Sequence, residues 1–100
     1  MFGTIGHAKV KPGHDDQIQN LMSEWKTTIR PKVPGSFIEL AGRPVDRQGE
    51  TVFVALAKDE KTYRDLAAMP EQNAFYRRML EHLDSEPTWE DVEMNVIVRE

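Results

Sequence analysis

The run Thr51 to Ala57, Thr-Val-Phe-Val-Ala-Leu-Ala, has no polar residue after its first, unlike any other long stretch of the chain. Successive residues of a strand point to opposite faces, so Val52, Val54 and Leu56 line one side and Phe53, Ala55 and Ala57 the other. Both sides of this strand therefore need cover. Ile18, Leu21, Met22, Trp25 and Ile29 recur at helical spacing and predict one cover. They follow Asp15 and Asp16, whose charges favour a helix start, and end at Arg30-Pro31, where the residue before proline leaves the helical region. A second helical pattern begins after Asp59, a predicted N-cap, and carries Tyr63 and Leu66 inward. Met69-Pro70-Glu71 breaks and restarts it, with Pro70 suited to a first helical position. Phe75, Tyr76, Met79, Leu80 and Leu83 then share one side, opposite Arg77, Arg78 and Glu81, until Ser85-Glu86-Pro87 stops the helix.

Three more segments alternate with period two. Phe2 to Val10 sets Phe2, Ala8 and Val10 against Ile5, His7 and Lys9. Its Gly3 and Gly6 leave bare patches where a backbone, a bulky side chain or a ligand can come close. Ser36 to Arg43 sets Phe37, Glu39, Ala41 and Arg43 against Ile38, Leu40 and Gly42. The loop Pro44 to Glu50 follows, with Gly49 suited to a hairpin turn. Asp91 to Arg99 sets Val92, Met94, Val96 and Val98 against Glu93, Asn95, Ile97 and Arg99, as a half-buried strand would. The order strand, helix, strand, strand, helix, strand predicts an α+β fold, a ferredoxin-like βαββαβ sandwich in one domain over residues 1–100. Both helices fall on one face of a four-stranded antiparallel sheet. The other face keeps an apolar set from residues 52–57, and each large side chain buried there contributes about 1.5–3 kcal/mol. The simplest cover is a second copy, giving a homodimer packed through the sheet face, a dimeric α+β barrel.

Composition narrows the partners. The chain has 100 residues, 39% apolar and 30% charged, with a net charge of -4. The acidic balance argues against a nucleic-acid or anionic-membrane surface, which depends on clustered Lys and Arg. Cysteine is absent, which removes disulfides, thiolate nucleophiles and zinc knuckles. No signal peptide and no membrane-length apolar run is present, so a cytoplasmic protein is expected.

Val10-Lys11-Pro12-Gly13, Pro34-Gly35-Ser36 and Tyr63-Arg64-Asp65-Leu66, followed by Met69-Pro70-Glu71-Gln72-Asn73-Ala74-Phe75, carry a resemblance to the antibiotic biosynthesis monooxygenase family of dimeric α+β barrels. The resemblance covers nearly the whole chain and rests on turn and packing positions. It implies two ferredoxin-like sheets packed face to face. Members include cofactor-free oxygenases of aromatic polyketides and quinols, haem-degrading enzymes, and proteins without assigned chemistry. For the haem-degrading branch it implies an Asn on the first strand and a Trp and His on the second helix. Here the helix positions hold Leu66 and Met79, and the first strand has Thr4 and His7 but no Asn, so haem breakdown is not expected.

The resemblance thus implies a monooxygenase that needs no cofactor and acts on a small, flat, largely apolar molecule. His7 and His82 are the candidate catalytic groups, since an imidazole titrates near neutral pH and can accept a proton. Trp25, Tyr63, Phe75 and Tyr76 are the candidate substrate-binding residues. Each has a plainer reading: a half-exposed strand histidine, a solvated histidine at a helix end, a core tryptophan, and tyrosines that pack their rings and leave the hydroxyl wet. Glu39 and Arg43 share one strand face and read as a surface pair. His7, His14 and His82 are dispersed without metal-ligand spacing. A non-catalytic metabolite-binding barrel is the competing expectation. An RNA-binding domain has the same element order but lacks the aromatic signature, since the third strand supplies Phe53 alone.

Overall fold

The computed structural model describes residues 1–100. The strands are β1 (Phe2–Lys9), β2 (Phe37–Gly42), β3 (Glu50–Ala57) and β4 (Thr88–Glu93). The helices are α1 (Asp15–Thr28), α2 (Glu60–Ala67) and α3 (Pro70–Leu80). The strands form one antiparallel sheet in the order β2-β3-β1-β4, the ferredoxin-like arrangement. The apolar strand β3 lies inside the sheet, and β2 and β4 form its edges.

Local chemistry explains the boundaries. Asp15 and Asp16 occupy the first turn of α1 beside its positive dipole end, although His14 at the N-cap contributes no side-chain bond. After Ile29 the chain enters a 3-10 turn over Arg30–Lys32 that accommodates Pro31. The Asp59 carboxylate accepts from the Thr62 backbone N–H at 2.8 Å and caps α2. Hydrogen bonding to the Thr62 side chain, and then to this backbone N–H, holds the Asp59 carboxyl below its usual range. Pro70 opens α3, so the break at Met69 makes two short helices of the second helical segment.

All three helices lie on one face. Ile18, Leu21, Trp25 and Ile29 of the first helical segment meet Leu66, Phe75, Met79 and Leu83 over Ala8 and Phe53 of the sheet. The register shows which strand residues share this covered face. Glu39, Ala55, Thr4 and Asp91 stand opposite one another in one row, and Ala41, Phe53, Gly6 and Trp89 in the next. The reverse face carries Ile38 and Leu40 of β2, Val52, Val54 and Leu56 of β3, Ile5 and His7 of β1, and Val92 of β4. No helix covers that side: Leu40 is 59% exposed and its neighbours are half-buried, with Leu56 alone buried among them.

The bare patches at the two strand glycines are occupied differently. A Cβ at Gly3 would strike the backbone carbonyl oxygen of Ala55, whereas one at Gly6 would strike the indole ring of Trp89.

The last strand departs from the expected Asp91–Arg99 span. It begins three residues earlier, at Thr88, because Trp89 pairs with Gly6 and lays its ring over that glycine. It ends at Glu93, and Met94 then exchanges backbone bonds with Met1 at 2.8 and 2.7 Å. Beyond Met94 no neighbouring strand is present, so the alternation from Asn95 to Arg99 does not produce a strand. Val96, Ile97 and Val98 are exposed, Ile97 by 88%.

Candidate functional site

A cavity of about 390 Å³ lies between the covered sheet face and the helices. Its floor includes Thr4 and Ala55, small residues that pair across β1 and β3. Its walls are aromatic: Trp25 and Phe37 on one side, Phe53 and Phe75 deeper, Tyr76 and Trp89 on the other. Trp25 and Phe37 pack with ring centroids 5.2 Å apart, and the Arg30 guanidinium stands 5.7 Å from the Phe37 ring centroid. Arg30 is fixed by donating to the Val33 and Gly35 carbonyls at 2.7 and 2.9 Å. On the far side Tyr76 and Trp89 meet edge to face at 6.0 Å, a favoured geometry for two rings.

The polar groups are few and mostly committed. Trp25 Nε1 donates to Gln72 Oε1 at 2.7 Å, which ties α1 to α3 and satisfies a buried indole. Trp89 Nε1 donates to the Tyr76 hydroxyl at 3.0 Å, leaving that hydroxyl its own proton to give. Tyr63 donates to Asp91 Oδ1 at 3.4 Å. Burial, and then the Asp91 charge, push the Tyr63 phenol above its usual 10, so it stays protonated as a donor. Thr4 Oγ1 donates to the Glu90 carbonyl at 3.1 Å.

Glu39 is the one charged side chain on the lining, and no Lys, Arg or His pairs with it. Desolvation by the surrounding apolar walls raises its carboxyl above the usual 4.5. The residue as a whole stays solvent-exposed on the edge strand, so water partly screens the charge. The surface pairing expected with Arg43 is not formed.

Of the six candidate residues read from sequence, Trp25, Tyr63, Phe75 and Tyr76 come together on this cavity. The two histidines do not. His7 lies on the reverse sheet face, with Nδ1 3.7 Å from Glu50. His82 follows the end of α3, and its Nδ1 lies 2.9 Å from Nδ1 of His14, one ring donating and the other accepting. Parity could have placed His7, because it alternates with Phe2 and Ala8, the apolar residues that mark the covered face. Parity also puts Glu39 on the Phe37 side of β2, but nothing in the sequence sets it apart from a surface residue. Trp89 left no such sign, since its inward position depends on pairing with Gly6. No three His, Asp or Glu side chains converge as a metal site, and no helix is long and apolar enough to cross a membrane.

Helices packed on one face of a four-stranded antiparallel sheet make the ferredoxin-like fold, and solved antibiotic biosynthesis monooxygenases share it. A crystal structure of an antibiotic biosynthesis monooxygenase matches 96% of this chain and 100% of its own, with a TM-score of 0.73 at 17% identity. A candidate antibiotic biosynthesis monooxygenase from Caulobacter crescentus matches 95% of this chain and 90% of its own, with a TM-score of 0.79 at 14% identity. A Mycobacterium tuberculosis protein matches 97% and 98%, with a TM-score of 0.75 at 13% identity. No family model and no curated protein matches the sequence.

Proposed function

We propose that the protein binds a small, flat, largely apolar molecule of quinol or polyketide type in this cavity and oxygenates it without a cofactor. The observation that carries the reading is the aromatic cavity itself, which offers stacking surfaces and a few hydrogen-bonding groups within the monooxygenase fold. In such chemistry the substrate supplies all the electrons: one oxygen atom of O2 enters it and the other leaves as water. The protein then has to orient the substrate, exclude water and accept a proton. Glu39 is the group available for that proton, and the Tyr76 hydroxyl, which accepts from Trp89 and keeps its own proton, is available to hold a substrate oxygen.

The working form in this reading is a homodimer joined through the reverse sheet face, where Ile38, Leu40, Val52 and Val54 await cover. Two sheets stacked about 10 Å apart would bury them.

Anthrone under labelled dioxygen tests the activity. The expected product is anthraquinone carrying one labelled oxygen, formed well above the uncatalysed rate. Because the two histidines lie away from the cavity, a second reading is a barrel that binds such molecules without turning them over. It is distinguished by quenching of tryptophan fluorescence by anthrone with no rate enhancement.

A further inference from the structure

Glu39 stands at one end of a row that crosses the cavity floor. It pairs with Ala55, Ala55 with Thr4, and Thr4 with Asp91, to which the Tyr63 hydroxyl donates. Strands lie about 4.8 Å apart, so the floor from Glu39 to Thr4 spans ~10 Å. A flat molecule lying along it meets a carboxylate at the β2 end and, towards β4, a phenol whose proton is turned to Asp91. The carboxylate has no cationic partner on the lining, so its charge is answered only by water and by whatever occupies the cavity. A ligand hydroxyl or N–H can satisfy it, whereas a ligand carboxylate brings a like charge into an apolar enclosure, where water screens it less than in bulk.

We propose that Glu39 sets the charge specificity of this cavity, admitting flat aromatic molecules that present a hydroxyl or amine donor to β2 and rejecting their carboxylate counterparts. The inference rests on the reading of the cavity as a ligand site and is independent of whether the ligand is oxygenated. The selectivity has both an attractive and a repulsive element, as discrimination between close analogues requires.

Binding of 2-naphthol and 2-naphthoate at pH 7.5, followed by tryptophan fluorescence, tests it. The wild-type protein is expected to favour 2-naphthol at least about tenfold, below the full effect of unscreened like charges because Glu39 is exposed. Any apolar cavity prefers the neutral molecule to some extent, so the decisive quantity is the change in the ratio on substitution. Glu39→Gln keeps an acceptor oxygen and loses the charge; it should hold 2-naphthol while 2-naphthoate binding improves severalfold. Glu39→Lys should reverse the preference, and circular dichroism establishes that each variant is folded. An unchanged ratio in both variants overturns the inference while leaving the ligand cavity intact. Failure of the wild type to bind either compound overturns the cavity reading and the inference with it.

Discussion

The two faces of the sheet are built from the same four strands and solve different problems. The covered face mixes aromatic rings with very small residues, Phe37, Phe53 and Trp89 against Thr4, Ala55 and Gly6. Rings that stand high beside gaps cannot pack flat, and the helices roof the gap as a cavity. The reverse face is aliphatic at its centre, with Ile5, Ile38, Leu40, Val52 and Val54 in adjacent rows, and is interrupted by Gly3, Gly42, His7 and Glu90. Its aliphatic centre would suit another sheet, because interdigitating aliphatic side chains leave little void. Rings beside gaps thus make a cavity on one face, and aliphatic rows on the other offer a surface for the proposed association.

The largest expected effect comes from placing a charge in the centre of the reverse face. Val54 pairs with Ile5 on one side and Leu40 on the other, in the middle of the sheet. If two copies stack there, Val54→Asp puts an unpaired carboxylate into each half of the interface at several kcal/mol per ion. Sedimentation should show the wild type at about twice 11.5 kDa and the variant at 11.5 kDa. A wild-type protein that sediments as one chain breaks the comparison, since the reverse face would then be stable uncovered.

The two strand glycines give a smaller and more graded test. Gly3→Ala sets a methyl group against the Ala55 carbonyl, which is backbone and cannot yield without parting β1 from β3. Gly6→Ala sets it against the indole of Trp89, whose residue is 41% exposed and can swing away. Overpacking costs roughly 1–3 kcal/mol, and Gly3→Ala should fall at or above the top of that range and Gly6→Ala near the bottom. In a domain of this size about 1 kcal/mol moves Tm by ~4–8 °C, so thermal melts resolve the pair. Gly6→Ala should also break the Trp89–Tyr76 hydrogen bond and weaken cavity binding, whereas an unaltered near-ultraviolet tryptophan spectrum would mean that the ring does not rest there.

How much of this was legible depended on whether a feature was local. Alternation in Phe2 to Val10 and Ser36 to Arg43, and the uninterrupted run to Ala57, carry the strand order directly. Pro31 and Pro70 mark helix limits because proline lacks an amide hydrogen and fixes its own φ. The fourth strand was misplaced because Thr88 to Asp91 is mostly polar, and only the long-range pairing of Trp89 with Gly6 makes it a strand. The apolar alternation after Met94 has no partner strand to realise it. At the site, the four aromatic candidates were visible as members of helical stripes. Glu39 was not distinguishable from a surface residue, because its isolation from Arg and Lys is a property of the assembled cavity.

The smallest expected effect concerns that same carboxylate. A carboxyl whose pKa is higher in the folded chain than in the unfolded one binds its proton more tightly when folded. Stability therefore falls as pH rises through the interval that begins at about 4.5, and it stays lower at neutral pH by a fixed amount. Glu39→Gln removes the charge that the apolar walls disfavour. It should raise Tm at pH 7, by less than the ~4 °C that a full kcal/mol would give, because the exposed residue is well screened. The gain should shrink as the buffer is acidified through that interval, where the native carboxyl becomes neutral. Scanning fluorimetry at pH 7 and pH 4 reads both changes. A lower Tm for Glu39→Gln at pH 7 would show that the carboxylate has a favourable partner. A higher Tm identifies a charge kept at the cavity against the interest of the fold, as residues retained for ligand selection often are.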